Sequence, residues 1–145
     1  MSLHPDPVSR SVAAASESPA DGTRELLWDR MHAIASALGA FRYRFNSEAV
    51  LHQGMAAALT DASIAFEHEF VAGPKDRFDF WIDEGIVVEC KIKGSFAQAA
   101  QQVSRYAERT DVTGIILAST RPWAGAIPEV IAGKPLLAIK LAVAF

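Results

Sequence analysis

Hydrophobic and polar positions change period several times along the chain, and each change predicts an element. From Thr23, a suitable N-cap, the stretch TRELLWDRMHAIASALGAF sets Leu27, Met31, Ile34 and Leu38 on one helical face, and Gly39 closes it. Ser47 caps a second helix, SEAVLHQGMAAALTDA, with an apolar stripe of Val50, Leu51, Ala58 and Leu59. Gly54 weakens its middle, while Glu48 in its first turn suits the helix dipole. Three strand-like runs follow, SIAFEHEFVA, RFDFWI and IVVECKIK, punctuated by Gly73-Pro74 and by Asp83-Glu84-Gly85. Then come a helix, SFAQAAQQVSRYAERT, and a short continuous apolar run, GIILAST. A Pro-interrupted segment, RPWAGAIPEVIAGK, suggests a helical turn or two before a last apolar run, PLLAIKLAVAF.

Residues 47–120 thus read helix, three strands, helix, strand, with one helix ahead and one strand behind. That order describes a single mixed α/β domain over residues 23–145. Residues 1–22 mix Pro, Ser, Ala and Gly without period and read as a disordered leader.

The second and third strands carry Asp79, Glu89 and Lys91 where threonines would serve a merely stable hairpin. If Asp83-Glu84-Gly85 is a three-residue loop with Gly85 in the left-handed position, Ile82 faces Ile86 and Asp79 faces Glu89. Opposed residues point to one face about 4.5 to 5.5 Å apart at Cβ, and Lys91 joins them by the two-residue period. A two-residue loop would instead pair Asp79 with Cys90 and separate the carboxylates. Two carboxylates that close repel unless a proton or cation lies between them, and an all-oxygen pair suits Mg²⁺ or Mn²⁺. A solvated salt-bridge ladder is the plain structural alternative. It weakens because a following helix should cover one sheet face, and a buried acidic pair needs compensation.

Composition narrows the options. The chain has 145 residues, half of them hydrophobic and 21% charged, so it reads as soluble and globular. Its net charge of -3 argues against coating nucleic acid by bulk electrostatics, so any phosphate contact is local. One cysteine, Cys90, excludes an internal disulfide and a cysteine zinc cluster, and makes the cytoplasm the simplest compartment. No run is long and apolar enough for a membrane span or signal peptide. His4, His32, His52 and His68 show no metal-ligand spacing, and no phosphate-loop, dinucleotide or nucleophile-elbow motif occurs.

The residues RFD, then ECK ten positions on, then QVSRY in the next helix resemble the PD-(D/E)XK nuclease superfamily, particularly its RecB-like and lambda-exonuclease-like members. The family's restriction-endonuclease-like core is a helix, three antiparallel strands, a helix and a parallel strand. That resemblance covers about half the chain. It implies that Asp79 is the metal-binding aspartate, that Glu89 and Lys91 are the E-x-K pair, and that Gln102 and Tyr106 are the Q-x-x-x-Y element. Glu48 matches the acidic residue that several members carry on the first core helix. The proline-aspartate signature is not intact, since Lys75 separates Pro74 from Asp76 and Asp79 is the better-placed acid.

The implied activity is Mg²⁺- or Mn²⁺-dependent hydrolysis of DNA phosphodiester bonds, of a recombination, repair, phage or mobile-element type. Asp79, Glu89 and the main-chain carbonyl of Cys90 would hold metal. Lys91 would position water and offset phosphate charge, and Gln102 and Tyr106 would orient substrate or water. Arg77, Lys93 and Arg105, with Arg42 and Arg44, would supply phosphate contacts. Trp81 should share a face with Asp79 and, like Trp28 and Trp123, could stack a base. The alternative is a catalytically silent module of the same fold that binds nucleic acid or a protein partner. The wider family leaves a homo-oligomer open.

Overall fold

A six-stranded mixed sheet flanked by helices organises the chain, seen in a computed structural model that describes residues 19–122 and 129–144. The elements are α1 (Pro19–Gly39), β1 (Arg42–Tyr43), α2 (Glu48–Asp61), β2 (Glu67–Val71), β3 (Arg77–Ile82) and β4 (Ile86–Lys91), followed by α3 (Phe96–Ala107), β5 (Gly114–Ser119), β6 (Val130–Ile131), β7 (Lys134–Lys140) and β8 (Ala142–Val143). The chain divides into two compact units, Met1–Arg30 and Met31–Phe145. Of the first, residues 19–30 are the opening turns of α1, so the helix starts four residues before Thr23, inside the stretch expected to be leader. The site described below belongs entirely to the second unit.

The sheet order is β2-β3-β4-β5-β7-β6. Strands β2, β3 and β4 are antiparallel, α3 then crosses over, and β5 returns parallel to β4 with β7 parallel to β5. The order helix, three strands, helix, strand expected for residues 47–120 is present. The expected last strand is split. Leu141 separates β7 from β8, which pairs in parallel with β1 in a small second sheet. Where the Pro-interrupted segment suggested helical turns, Val130–Ile131 are a strand pairing with β7, and Trp123 lies outside the described residues.

Both faces of the central strands are buried. Val87, Ile115 and Leu117 pack with Ala99, Val103, Tyr106 and Ala107 of α3. Their neighbours Ile86, Val88, Cys90, Ile116 and Ala118 are also buried and, by the two-residue period, form the opposite face. Helix α2 starts as expected, with Ser47 accepting the Val50 N–H at 3.2 Å. Its inward stripe differs from the expected one: Leu51, His52, Met55, Ala58 and Leu59 are buried, whereas Val50 is exposed. A histidine thus joins the buried face, which the apolar pattern does not mark. Gly54 has a packing reason, because a Cβ there would stand 3.0 Å from the Tyr43 ring.

The β3–β4 turn keeps the expected register by a different backbone. Ile82 faces Ile86, but positive φ occurs at Asp83 (55°) and Glu84 (52°), with Gly85 N–H bonded to the Ile82 carbonyl at 3.2 Å. Two left-handed central residues are the type I′ pattern that matches strand twist. Gly85 is needed for space, since a Cβ would lie 2.5 Å from Thr113 Oγ1.

Candidate metal centre

The site begins where the β3–β4 ladder stops. Paired residues run from Ile82↔Ile86 through Phe80↔Val88, and the next opposed positions are Asp79 and Glu89. There the carboxylates replace backbone partners: Asp79 N–H donates to Glu89 Oε1 at 3.3 Å, and Cys90 N–H donates to Asp79 Oδ2 at 2.7 Å. The other neighbour of β3 is irregular at the same level. His68 pairs with Phe80 and Phe70 with Phe78, while Glu69 between them has φ 54°. Phe70 and Phe78 belong to the α3-side cluster, whereas His68 and Phe80 stack near His52 of α2. The regular alternation therefore steps at Glu69 and Asp79. Trp81, stacked on Phe70 at 5.2 Å within that α3-side cluster, is a packing residue. The step breaks the shared face expected for Trp81 and Asp79.

Burial sets the electrostatics. Glu89 is 2% exposed, and burial followed by the Asp79 charge pushes its carboxyl up to about 8. Burial also raises the Asp79 carboxyl, against the Cys90 N–H bond and His52 that pull it down. Lys91 Nζ stands 4.0 Å from Glu89 Oε2, with Glu48 adding further negative charge. Holding carboxylates in this way costs folding free energy, so the arrangement is costly unless a cation arrives.

His52 supplies a nitrogen that sequence spacing did not reveal. Its Nε2 lies 3.6 Å from both Glu48 Oε1 and Asp79 Oδ2, too far for hydrogen bonds. This buried atom has no hydrogen-bond partner among the described residues. The other ring nitrogen, Nδ1, stands 3.0 Å from His68 Nε2. Donor atoms of Glu48, His52 and Cys90 lie within 4.8 Å of one another, as do those of His52, His68 and Glu69. The signal present in the sequence was a glutamate and a histidine four apart on one helix, which places both on one side. The Cys90 thiol is fully buried, and burial and the surrounding carboxylates raise its pKa, which disfavours the thiolate. Cys90 enters the site by its backbone N–H.

The remaining expected residues sort unevenly. Gln102 Nε2 donates to Tyr106 Oη at 2.9 Å, and Tyr106 Oη donates to the Arg77 carbonyl at 3.2 Å. Tyr106 is 1% exposed, and it ties α3 to the start of β3, two residues before Asp79. Arg77 and Lys93 are exposed and make no ion pair among the described residues. Arg105 is engaged instead: its Nε donates to Asp76 Oδ1 at 3.0 Å. Arg109 completes that cluster, donating to Asp76 Oδ2 at 2.9 Å, to the Ala72 carbonyl and to Asp111. Asp76, held below the usual carboxylate range by these two arginines despite partial desolvation, is a structural acid.

No family model, curated protein or solved structure matches the chain. The donor set therefore has to be judged on its own. An orphaned histidine nitrogen facing the Glu48 and Asp79 carboxylates, with the buried Glu89 carboxyl on the Asp79 backbone, suits a divalent cation. Carboxylate oxygens with one imidazole nitrogen suit Mn²⁺ and admit Mg²⁺.

Proposed function

We propose that this chain is a metal-dependent deoxyribonuclease of the PD-(D/E)XK kind, with a restriction-endonuclease-like core of α2, β2–β4, α3 and β5. The observation that carries this reading is the break in the β3–β4 ladder, where the Glu89 carboxyl accepts from the Asp79 backbone, the Asp79 carboxyl accepts from the Cys90 backbone, and Lys91 lies alongside Glu89. A merely structural hairpin has no need of that arrangement.

Asp79 and Glu89, joined by Glu48 and His52, would hold the cation, with the Cys90 main chain at the same level. A bound divalent cation supplies Lewis acidity toward the phosphodiester and acidifies water. Lys91, partly exposed beside Glu89, offsets negative charge on the scissile phosphate and orients the attacking water. Gln102 and Tyr106 act on the scaffold: their hydrogen-bonded pair fixes the Arg77 carbonyl and so the approach of β3 to the site. Arg77 and Lys93 provide backbone phosphate contacts, which an acidic chain must make locally.

Labelled single-stranded, duplex and branched DNA incubated with Mg²⁺, Mn²⁺ or EDTA tests the reading. Products formed with either metal and lost with EDTA support it. Binding without products under every condition would replace it with the silent nucleic-acid-binding alternative.

A further inference from the structure

We infer that His68, on the edge strand β2, is a positioning residue for His52 and sets how strongly the site prefers Mn²⁺ over Mg²⁺. The inference rests on the metal-centre reading above and deepens it. A neutral imidazole has one N–H and one lone pair, so it can offer Nε2 to a cation only if Nδ1 carries the proton. That proton needs an acceptor where it is buried. Among the described residues the hydrogen-bond partner of His52 Nδ1 is His68 Nε2, at 3.0 Å.

Packing holds both rings in place for this exchange. The two imidazoles meet edge to face at 5.1 Å, and each lies against Phe80, at 5.6 Å for His52 and 5.0 Å for His68. Phe66 closes on Phe80 from a further 5.4 Å. His68 keeps register with Phe80 across β2–β3, so the strand pairing itself delivers its ring to His52. The step in alternation at Glu69 leaves His68 on the His52 side while Phe70 turns to α3. When His68 accepts, His52 Nε2 faces Glu48 and Asp79 as a lone pair.

A nitrogen ligand discriminates between cations in a way carboxylates do not. Mn²⁺ accepts imidazole readily, whereas Mg²⁺ holds to oxygen donors and water. Weakening His52 through its partner should therefore lower Mn²⁺ affinity more than Mg²⁺ affinity. Loss of such outer partners commonly costs about 10- to 100-fold in metal affinity.

Three substitutions at this exposed position separate positioning from mere structure: His68→Gln keeps an acceptor, His68→Leu removes it, and His68→Lys offers only donors. Mn²⁺ and Mg²⁺ binding to the metal-free full chain is measured by titration calorimetry, with His52→Ala as reference and melting curves as a folding control. The expected result is that Leu lowers Mn²⁺ affinity about 10-fold or more with Mg²⁺ changed far less, that Lys lowers the Mn²⁺ to Mg²⁺ ratio further, and that Gln restores most of it. Equal loss for both ions, or Mn²⁺ binding by His68→Leu at the original strength, overturns the role of His68. Wild-type protein that takes up neither ion overturns the metal-centre reading itself, a separate outcome.

Discussion

Two groups of charges sit within a few residues on the same strand entry, and they are built on opposite principles. Around Asp76, every charge meets its complement: Arg105 and Arg109 flank the carboxylate, Asp111 and the Ala72 carbonyl take the rest of Arg109, and the Asp76 pKa falls. Around Asp79, like meets like: a second carboxyl lies across the strand gap, both are raised by burial, and the Lys91 ammonium stands 4.0 Å from Glu89. The first group stabilises the β2–β3 loop against α3. The second opposes folding and is intelligible as a receptor for positive charge.

The sharpest separation should come from activity. Glu89→Gln is expected to abolish cleavage, and Lys91→Ala to lower it by ~10²- to 10⁴-fold, with both proteins folded by circular dichroism. Asp76→Asn should leave the rate near that of the wild type. An unchanged rate in both Glu89→Gln and Lys91→Ala would put the chemistry elsewhere.

Stability should move the other way. Glu89→Gln removes a buried repulsion and is expected to raise the melting temperature of metal-free protein at pH 8, by ~2–4 °C for each kcal/mol relieved. Metal should add stability to the wild type, about 2.7 kcal/mol at 100 times its dissociation constant, and little to Glu89→Gln. A metal-induced shift of equal size in the variant would remove Glu89 from the site.

The pH dependence follows from the same raised carboxyl. Glu89 holds its proton in the folded chain up to about 8, against an ordinary glutamate value of 4.5. Its contribution to metal-free stability is therefore full below pH 4.5, declines as pH rises, and is gone above pH 8. Metal binding, which needs the carboxylate, strengthens over that window. Urea melts of wild type and Glu89→Gln between about pH 5 and about pH 8.5 should diverge with rising pH; parallel curves would mean that Glu89 titrates normally.

Asp76→Ala is a smaller effect in the opposite sense, a loss of about 1–2 kcal/mol, because two arginines lose a partly exposed partner. Smallest is Tyr106→Phe, at about 1 kcal/mol, with cleavage affected far less than by Glu89→Gln. Calorimetric melts distinguish both from the gain expected at Glu89.

How legible these regions were depended on the reach of the interactions. Turn length and the Ile82–Ile86 pairing are local, so the hairpin register and the meeting of Asp79 with Glu89 could be read from the chain. The backbone behind it could not: an Asp and a Glu take the left-handed positions expected of Gly85, and Glu69 does so inside a strand. Alternation then failed to place Trp81, because the period steps where that glutamate sits. The stripe expected on α2 holds at Leu51, Ala58 and Leu59 but not at Val50, and it also includes His52, whose partners on β2 and β3 no local pattern announces. The Asp76 partner of Arg105, 29 residues away in sequence, is a tertiary contact that no local pattern announces.

The most direct single observation would be an anomalous difference map from crystals soaked in Mn²⁺. A peak bounded by the Asp79 and Glu89 carboxylates, with His52 Nε2 in its coordination shell, is the expected result. A well-occupied protein crystal with no peak there, or with Mn²⁺ only on exposed surface acids, would contradict it.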